Sequence, residues 1–367
     1  MMKLLKFNHT FPPAEGVLFL SFLNCDTIVT EKFAKINTQP FETGTGEILS
    51  DISASGRERP WSEKKKASQK LYKLFQIARG SDETVITASA LDRLNHCAEH
   101  LVFKQCPNHS AEKHLAKGDF CRNRLCPICN WRKSLKMFSQ MSEIVEKMTD
   151  DNRDLRFIFL TLTVKNCKGD ELSDTIDQMN KAFKFMTDKT KRSISVQKYI
   201  LGYFKALEVT YNVKEDTYHP HLHIVLAVPD SYFTRGFTKT EKWADIWQKC
   251  LGVDYKPVVN VQSVDTADKG VICEISKYAT KGEYLLDGIP EQQAAQAVGV
   301  LAKALKSRRL VTFSGLFREV RKFLQQDDVE DGDLIHVTGE QDNDTCKVCG
   351  SKLLEHMYKW RIGAYVN

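Results

Sequence analysis

No run of about 20 apolar residues occurs in this 367-residue chain, so no segment has the length and character of a membrane-crossing helix. The longest apolar run near the start, Val17 to Leu20, stops at a serine. A secretory leader is not expected, because Pro12, Pro13 and Glu15 stand where its apolar stretch belongs. Internal repeats are absent, and glycine and proline are at ordinary levels. No collagen-like, coiled-coil or disordered composition fits the whole. These absences leave a globular chain, 42% hydrophobic and 27% charged. It is expected to be soluble and cytoplasmic, without a membrane partner, and long enough for roughly two domains.

The formal charge of +6 conceals an asymmetry. Eight acids and no Lys or Arg fall between Asp327 and Asp344, so the rest of the chain is more basic than the total suggests. A basic body suits a polyanionic partner, although many soluble proteins are as basic.

Eleven cysteines are unevenly placed. In a cytoplasmic chain clustered cysteines more often bind metal than form disulfides. Cys106, Cys121, Cys126 and Cys129 fall within 24 residues, and Cys126-Pro-Ile-Cys129 has the spacing of a zinc half-knuckle. Four such thiols would close a tetrahedral zinc site. His109 or His114 is an alternative to Cys106. Cys346 and Cys349 form a further Cys-x-x-Cys, supplying half of this site or binding separately with His356. Cys25, Cys97, Cys167, Cys250 and Cys273 are isolated and read as small core or surface residues. Arg122, Arg124, Trp131, Arg132 and Lys133 surround the cluster. Basic side chains with an interleaved aromatic suit phosphate contacts and base stacking, which makes them candidate DNA-binding residues. The basic stretch from Lys303 to Lys322 is a second such face, or simply a solvated helix.

The hydropathy pattern is that of an α+β chain. Residues 41 to 66 are polar and aperiodic, a linker or extended arm. Two helices are expected between Ala67 and His100, and others over Ser134 to Met148, Ser173 to Thr187, Thr238 to Cys250, Gly270 to Tyr284 and Pro290 to Leu305. Strands are expected over Leu155 to Val164, Ile200 to Tyr211, His219 to Val228 and Val258 to Val264. About seven residues join the middle two, short enough for a hairpin. The expected architecture is a mainly antiparallel central sheet with flanking helices, preceded by a helical, cysteine-rich, zinc-binding part.

The strand around His219, His221 and His223 is the most informative. Side chains alternate along a strand, so these histidines share one face while Leu222 and Ile224 bury the other. Two imidazoles at that spacing converge on a divalent cation. Glu208, among apolar neighbours on the partner strand, is either the oxygen ligand suited to Mg²⁺ or Mn²⁺, or a solvent-facing acid. In Glu274-Ile-Ser-Lys-Tyr278-Ala-Thr-Lys281, a helix brings the acid and the tyrosine to one face with the lysine near. A tyrosine so placed suits nucleophilic phosphoryl transfer, though the spacing alone is common.

Four segments in order, CRNRLCPICNWRKS (121–134), FLTLT (159–163), HPHLHIVL (219–226) and EISKYATK (274–281), resemble the rolling-circle plasmid replication initiators of the HUH endonuclease superfamily. Weaker similarity reaches back to GRERPW (56–61) and forward to residues 314–322. The resemblance implies that His221 and His223, with Glu208, bind the divalent metal. It implies that Tyr278 attacks the scissile phosphate to give a 5′-phosphotyrosine and a free 3′-hydroxyl. Lys281 would assist at the metal or phosphate, and Glu274 would activate water for the terminating hydrolysis. The partners implied are plasmid origin DNA and the host helicase and polymerase. The division expected is an N-terminal extension (1–66), a helical region with the cysteine cluster (67–135), a nicking domain (136–306) and a basic then acidic C-terminal region (307–367). A relaxase or transposase of a mobile element is the nearest rival. A zinc-dependent nucleic-acid-binding protein without catalysis is another, but it gives His221, His223 and Tyr278 no purpose.

Overall fold

A computed structural model describes residues 46–53, 56–108, 113–190, 194–264, 288–337 and 344–367. The long β-branched and aromatic runs form a five-stranded antiparallel sheet: β3 (Leu155–Thr163), β4 (Gly202–Asn212), β5 (Thr217–Pro229), β6 (Val259–Val264) and β7 (Val311–Gly315), in the order β6-β3-β5-β4-β7. β4 and β5 make the expected hairpin. Its turn is closed by the Asn212 side-chain oxygen, which accepts from the amides of Lys214 and Glu215, and by a 2.8 Å hydrogen bond from Tyr211 to Asp216.

The two faces of this sheet are covered differently. Helix α4 (Leu172–Thr187) packs on the face carrying Tyr203 and Lys205, through Phe183 against Tyr203 and Asn180 against Lys205. α5 (Thr240–Leu251) lies alongside α4 and ends at Gly252, whose φ of +70° suits glycine. On the opposite face, helix Leu316–Phe323 packs Phe317 against Phe157. That helix covers only one end of the face. Along β5, residues 224 to 228 are buried on both sides, whereas residues 217 to 223 alternate between half-buried and buried. The histidines fall in that half-open stretch.

A second, smaller sheet was not anticipated. β1 (His100–Gln105) and β2 (Lys113–Gly118) form a hairpin, and β8 (Leu354–Arg361) and β9 (Ala364–Val366) extend it in the order β2-β1-β8-β9. The C-terminal strands thus complete a sheet begun some 250 residues earlier. Hydrophobic residues of both sheets belong to one continuous core, including Leu101, Tyr358, Leu222 and Phe204.

The polar stretch read as a linker is partly helical. α1 (Trp61–Ser81) starts six residues earlier than the apolar periodicity, because Trp61 and the alkyl part of Lys65 are buried with Ser68, Leu71 and Phe75. Trp61 donates to Asp51 at 2.7 Å and meets Trp131 edge to face, with ring centres 4.7 Å apart. α2 (Ala88–Asn95) follows, capped by Thr87. α3 (Pro127–Asp151) starts at the cysteine cluster with proline in its first turn, where a missing amide hydrogen is harmless.

Candidate active site and metal centres

The β4–β5 ladder sets Glu208 directly opposite His221, and the small Ala206 opposite His223. All three polar side chains therefore rise from one face of the pleat. Glu208 Oε2 lies 3.0 Å from His221 Nε2 and 2.8 Å from His223 Nε2. The other ring nitrogens are engaged: His221 Nδ1 with the carbonyl of His219 at 3.2 Å, and His223 Nδ1 with the Thr161 hydroxyl at 3.3 Å. Phe159 lies parallel to the His223 ring, with centres 5.7 Å apart. Such outer contacts orient a ligating histidine and leave Nε2 for the metal. Thr161 and Phe159 come from the FLTLT segment, on the strand paired with β5.

Burial raises the pKa of Glu208, but hydrogen bonds from His221 and His223 outweigh it and hold the carboxyl well below its usual range. The triad is therefore an ionised carboxylate with two imidazole nitrogens, a donor set that fits a hard or borderline divalent cation. His219 shares the face but is not part of the convergence. It contacts Asn166 Oδ1 at 2.8 Å, and burial together with neighbouring His221 lowers its pKa to about 4, leaving it neutral. Glu274, Tyr278 and Lys281 lie outside the described residues.

The cysteine cluster forms, with one substitution of membership. Cys97, Cys121, Cys126 and Cys129 converge, all buried, with Cys97–Cys129 at 3.6 Å, Cys121–Cys129 at 3.7 Å and Cys97–Cys126 at 3.7 Å between sulfurs. Cys106, expected as the fourth member, is instead carried by β1 to Cys346 and Cys349. Zinc–sulfur bonds of about 2.3 Å in a tetrahedron require sulfurs about 3.8 Å apart, so the four thiols fit zinc closely. The amides of Cys121, Arg122 and Asn123 donate to the sulfurs of Cys97, Cys129 and Cys121. Burial raises the pKa of Cys126, but hydrogen bonds from the other three thiols hold it well below the usual value, while those of Cys97 and Cys121 are pushed well up. A bound cation would compensate the charge of thiolates gathered in so buried a pocket.

The family model described as replication protein matches residues 112–365, which include β4, β5 and most of the cysteine cluster. A protein rep of Streptococcus pneumoniae is 38% identical over 301 residues, covering 80% of this chain and 89% of its own. One from Bacillus amyloliquefaciens is 34% identical, covering 80% and 91% respectively. The chain belongs to this family of plasmid replication proteins. No solved structure matches it.

In this replication protein three of the residues expected to face DNA around the cluster, Trp131, Arg132 and Lys133, are turned inward, while Arg122 stays exposed. Trp131 is 8% exposed and packed on Trp61, while Arg132 and Lys133 are 0% and 2% exposed. Arg132 donates to the carbonyls of Leu334 and Ile335. Arg124 pairs with Glu330 at 2.8 Å, and Arg122 donates to the carbonyls of Asp331 and Gly332. Residues 327–337 of the acidic stretch thus fold back on the cluster's own cations, and Val329, Leu334 and Val337 among them are buried. Charge asymmetry in the sequence reflects this internal pairing. In the second basic stretch, Arg308 pairs with Asp177, Arg309 with Asp328, and Lys303 with Asp82.

Cys97 is the residue that sequence reasoning missed. It stands alone in the chain, and no spacing rule joins it to Cys121. The available signal was its position after α2, which packs with α3 against α1.

Proposed function

We propose that this replication protein starts replication by nicking origin DNA at a specific site, as a metal-dependent nicking and joining endonuclease of the HUH type. The observation carrying this reading is the convergence of Glu208, His221 and His223 at one half-open end of the sheet. A carboxylate and two imidazoles held by outer contacts make a poor structural core and a good site for a divalent cation. When bound, Mg²⁺ or Mn²⁺ would supply positive charge to the scissile phosphate of single-stranded DNA.

His221 and His223 hold that position through Nε2, with Thr161 and the His219 carbonyl setting ring orientation. Tyr278 is the nucleophile. Its oxygen forms the bond to phosphorus as the bond from phosphorus to the 3′-oxygen breaks. The phenol loses a proton and the 3′-hydroxyl gains one, leaving a 5′-phosphotyrosine and a primer end. Glu274 serves as general base for the water that closes the round, and Lys281 as a cationic partner of the phosphate. Zinc at Cys97, Cys121, Cys126 and Cys129 has a structural role, joining α2 and β1 to the start of α3.

The test uses single-stranded origin DNA of the encoding replicon with Mn²⁺, comparing the wild type with Tyr278→Phe. The expected result is a denaturant-stable protein–DNA adduct and a free 3′-hydroxyl with the wild type only. Cleavage surviving in Tyr278→Phe would identify another nucleophile. Tight binding without adduct or nick would point to a non-catalytic zinc protein.

A further inference from the structure

A second group of thiols lies away from both sites already described. Cys106 leaves the end of β1, and its sulfur is 3.6 Å from that of Cys349; with Cys346, the three sulfurs lie within 4.8 Å of one another. This exceeds the about 2.05 Å of a disulfide and approaches the about 3.8 Å edge of a zinc–sulfur tetrahedron.

Residues 345–352 are shaped around these sulfurs. Thr345 bridges Lys352, the Cys346 amide donates to Ser351 O at 2.8 Å, and the Gly350 amide returns to Cys346 O at 2.8 Å. Gly350 has φ +71°, which lets the chain reverse immediately after Cys349. The Val348 amide points at Cys346 Sγ at 3.4 Å, a donor aimed at a sulfur that would carry charge. Asn108 donates to Ser351 Oγ at 2.7 Å, and Lys104 pairs with Asp344 at 2.8 Å, docking the turn on the end of β1.

Hydrophobic burial does not explain this order. Val348 is 83% exposed and Cys349 is exposed, so the tip of the turn has little apolar contact to hold it. His356, an alternative partner in the sequence, faces Phe103 in the sheet and contacts Asn367, apart from the three thiols. His109 lies outside the described residues and is not counted in the site.

We propose that Cys106, Cys346 and Cys349 bind a second zinc ion, separate from the one assigned to Cys97, Cys121, Cys126 and Cys129. It clasps the C-terminal strands β8 and β9 to β1, closing the small sheet from both ends of the chain. Three thiolates from two distant segments suit a soft divalent cation and not Mg²⁺.

The test is metal counting on the full-length, reduced protein after reconstitution and washing with a weak chelator. We expect two zinc ions per wild-type chain, and one in Cys346→Ser/Cys349→Ser. Cobalt substitution excludes interference from the histidine site, because only thiolate sites give sulfur-to-cobalt charge transfer. That absorption should fall to roughly four sevenths in the double variant, following the loss of one three-thiolate site. A single thiolate-bound metal in the wild type would overturn the proposal without reliance on any variant. So would an unchanged absorption in the double variant, or a Cys106–Cys349 disulfide in protein isolated from reducing conditions.

Discussion

Glu208 and His221 face each other across the β4–β5 ladder, with Glu208 Oε2 3.0 Å from His221 Nε2. The same oxygen reaches His223 Nε2 at 2.8 Å, so one carboxylate oxygen is shared by two imidazoles. Removing it leaves two imidazoles and no carboxylate. Glu208→Ala should weaken Mn²⁺ binding by at least about 100-fold, more than the loss of an outer-shell contact costs. Titration calorimetry measures this, with circular dichroism unchanged. Unaltered Mn²⁺ affinity would place the cation elsewhere.

The membership of the cysteine cluster predicts a contrast between two substitutions. Cys97→Ser should release the zinc held with Cys121, Cys126 and Cys129, whereas Cys106→Ser should leave that ion bound. Metal analysis of both variants decides it. Zinc retained at that cluster in Cys97→Ser would restore the cluster read from spacing alone.

Glu330 is 3% exposed and accepts from the amides of Leu310 and Val311 at 2.7 and 2.8 Å while pairing with Arg124. Glu330→Ala strands two buried amides and a partly buried guanidinium. The expected loss is about 3 kcal/mol of stability by urea denaturation. It should also loosen the acidic stretch, seen as faster proteolysis near residues 327–337. A change within about 0.5 kcal/mol would mean that solvent replaces these contacts.

Lys205 sits on the α4 face of the sheet, 9% exposed, with its ammonium 2.6 Å from Asn180 Oδ1. Burial lowers its pKa to about 8. Below pH 8 both folded and unfolded chains carry the proton and the cost of burying the charge is fully present. Between about 8 and 10.5 the unfolded chain binds more protons, so this group makes stability rise with pH. Lys205→Met should stabilise the protein by about 1–3 kcal/mol at pH 7 and remove that rise. Denaturation curves at pH 7 and pH 10 test both statements, and an identical pH dependence in the variant would contradict the assignment.

On the mechanism proposed above, Glu274→Ala should permit the first nick yet impair release from DNA after one round, because in that scheme only the terminating hydrolysis uses an activated water. Single-turnover and multiple-turnover assays separate the steps. Equal loss of both would indicate a structural or metal-binding role.

Local pattern carried much of this protein. Alternation along 217–228 determined β5, the shared face of His221 and His223, and the burial of Leu222 and Ile224, because strand geometry fixes side-chain direction within a few residues. The short 213–216 turn made the hairpin and brought Glu208 into register. The helices of 172–187, 240–251 and 291–305 were equally legible from their 3.6-residue period.

What lay beyond local pattern was decided by tertiary packing. Nothing near Cys97 in sequence marks it as a partner of Cys129, 32 residues on. Nothing near Cys106 points to Cys349, whose sulfur approaches only because β8 pairs with β1. The acidic stretch and the arginines around the cysteine cluster read as two separate surfaces, yet Arg124 and Glu330 meet across 206 residues. Charge and thiol chemistry are visible in the chain, but the pairing of such groups depends on which distant segments share a core. The hydrophobic effect that assembles that core is non-directional and leaves no spacing in the sequence from which those contacts can be read.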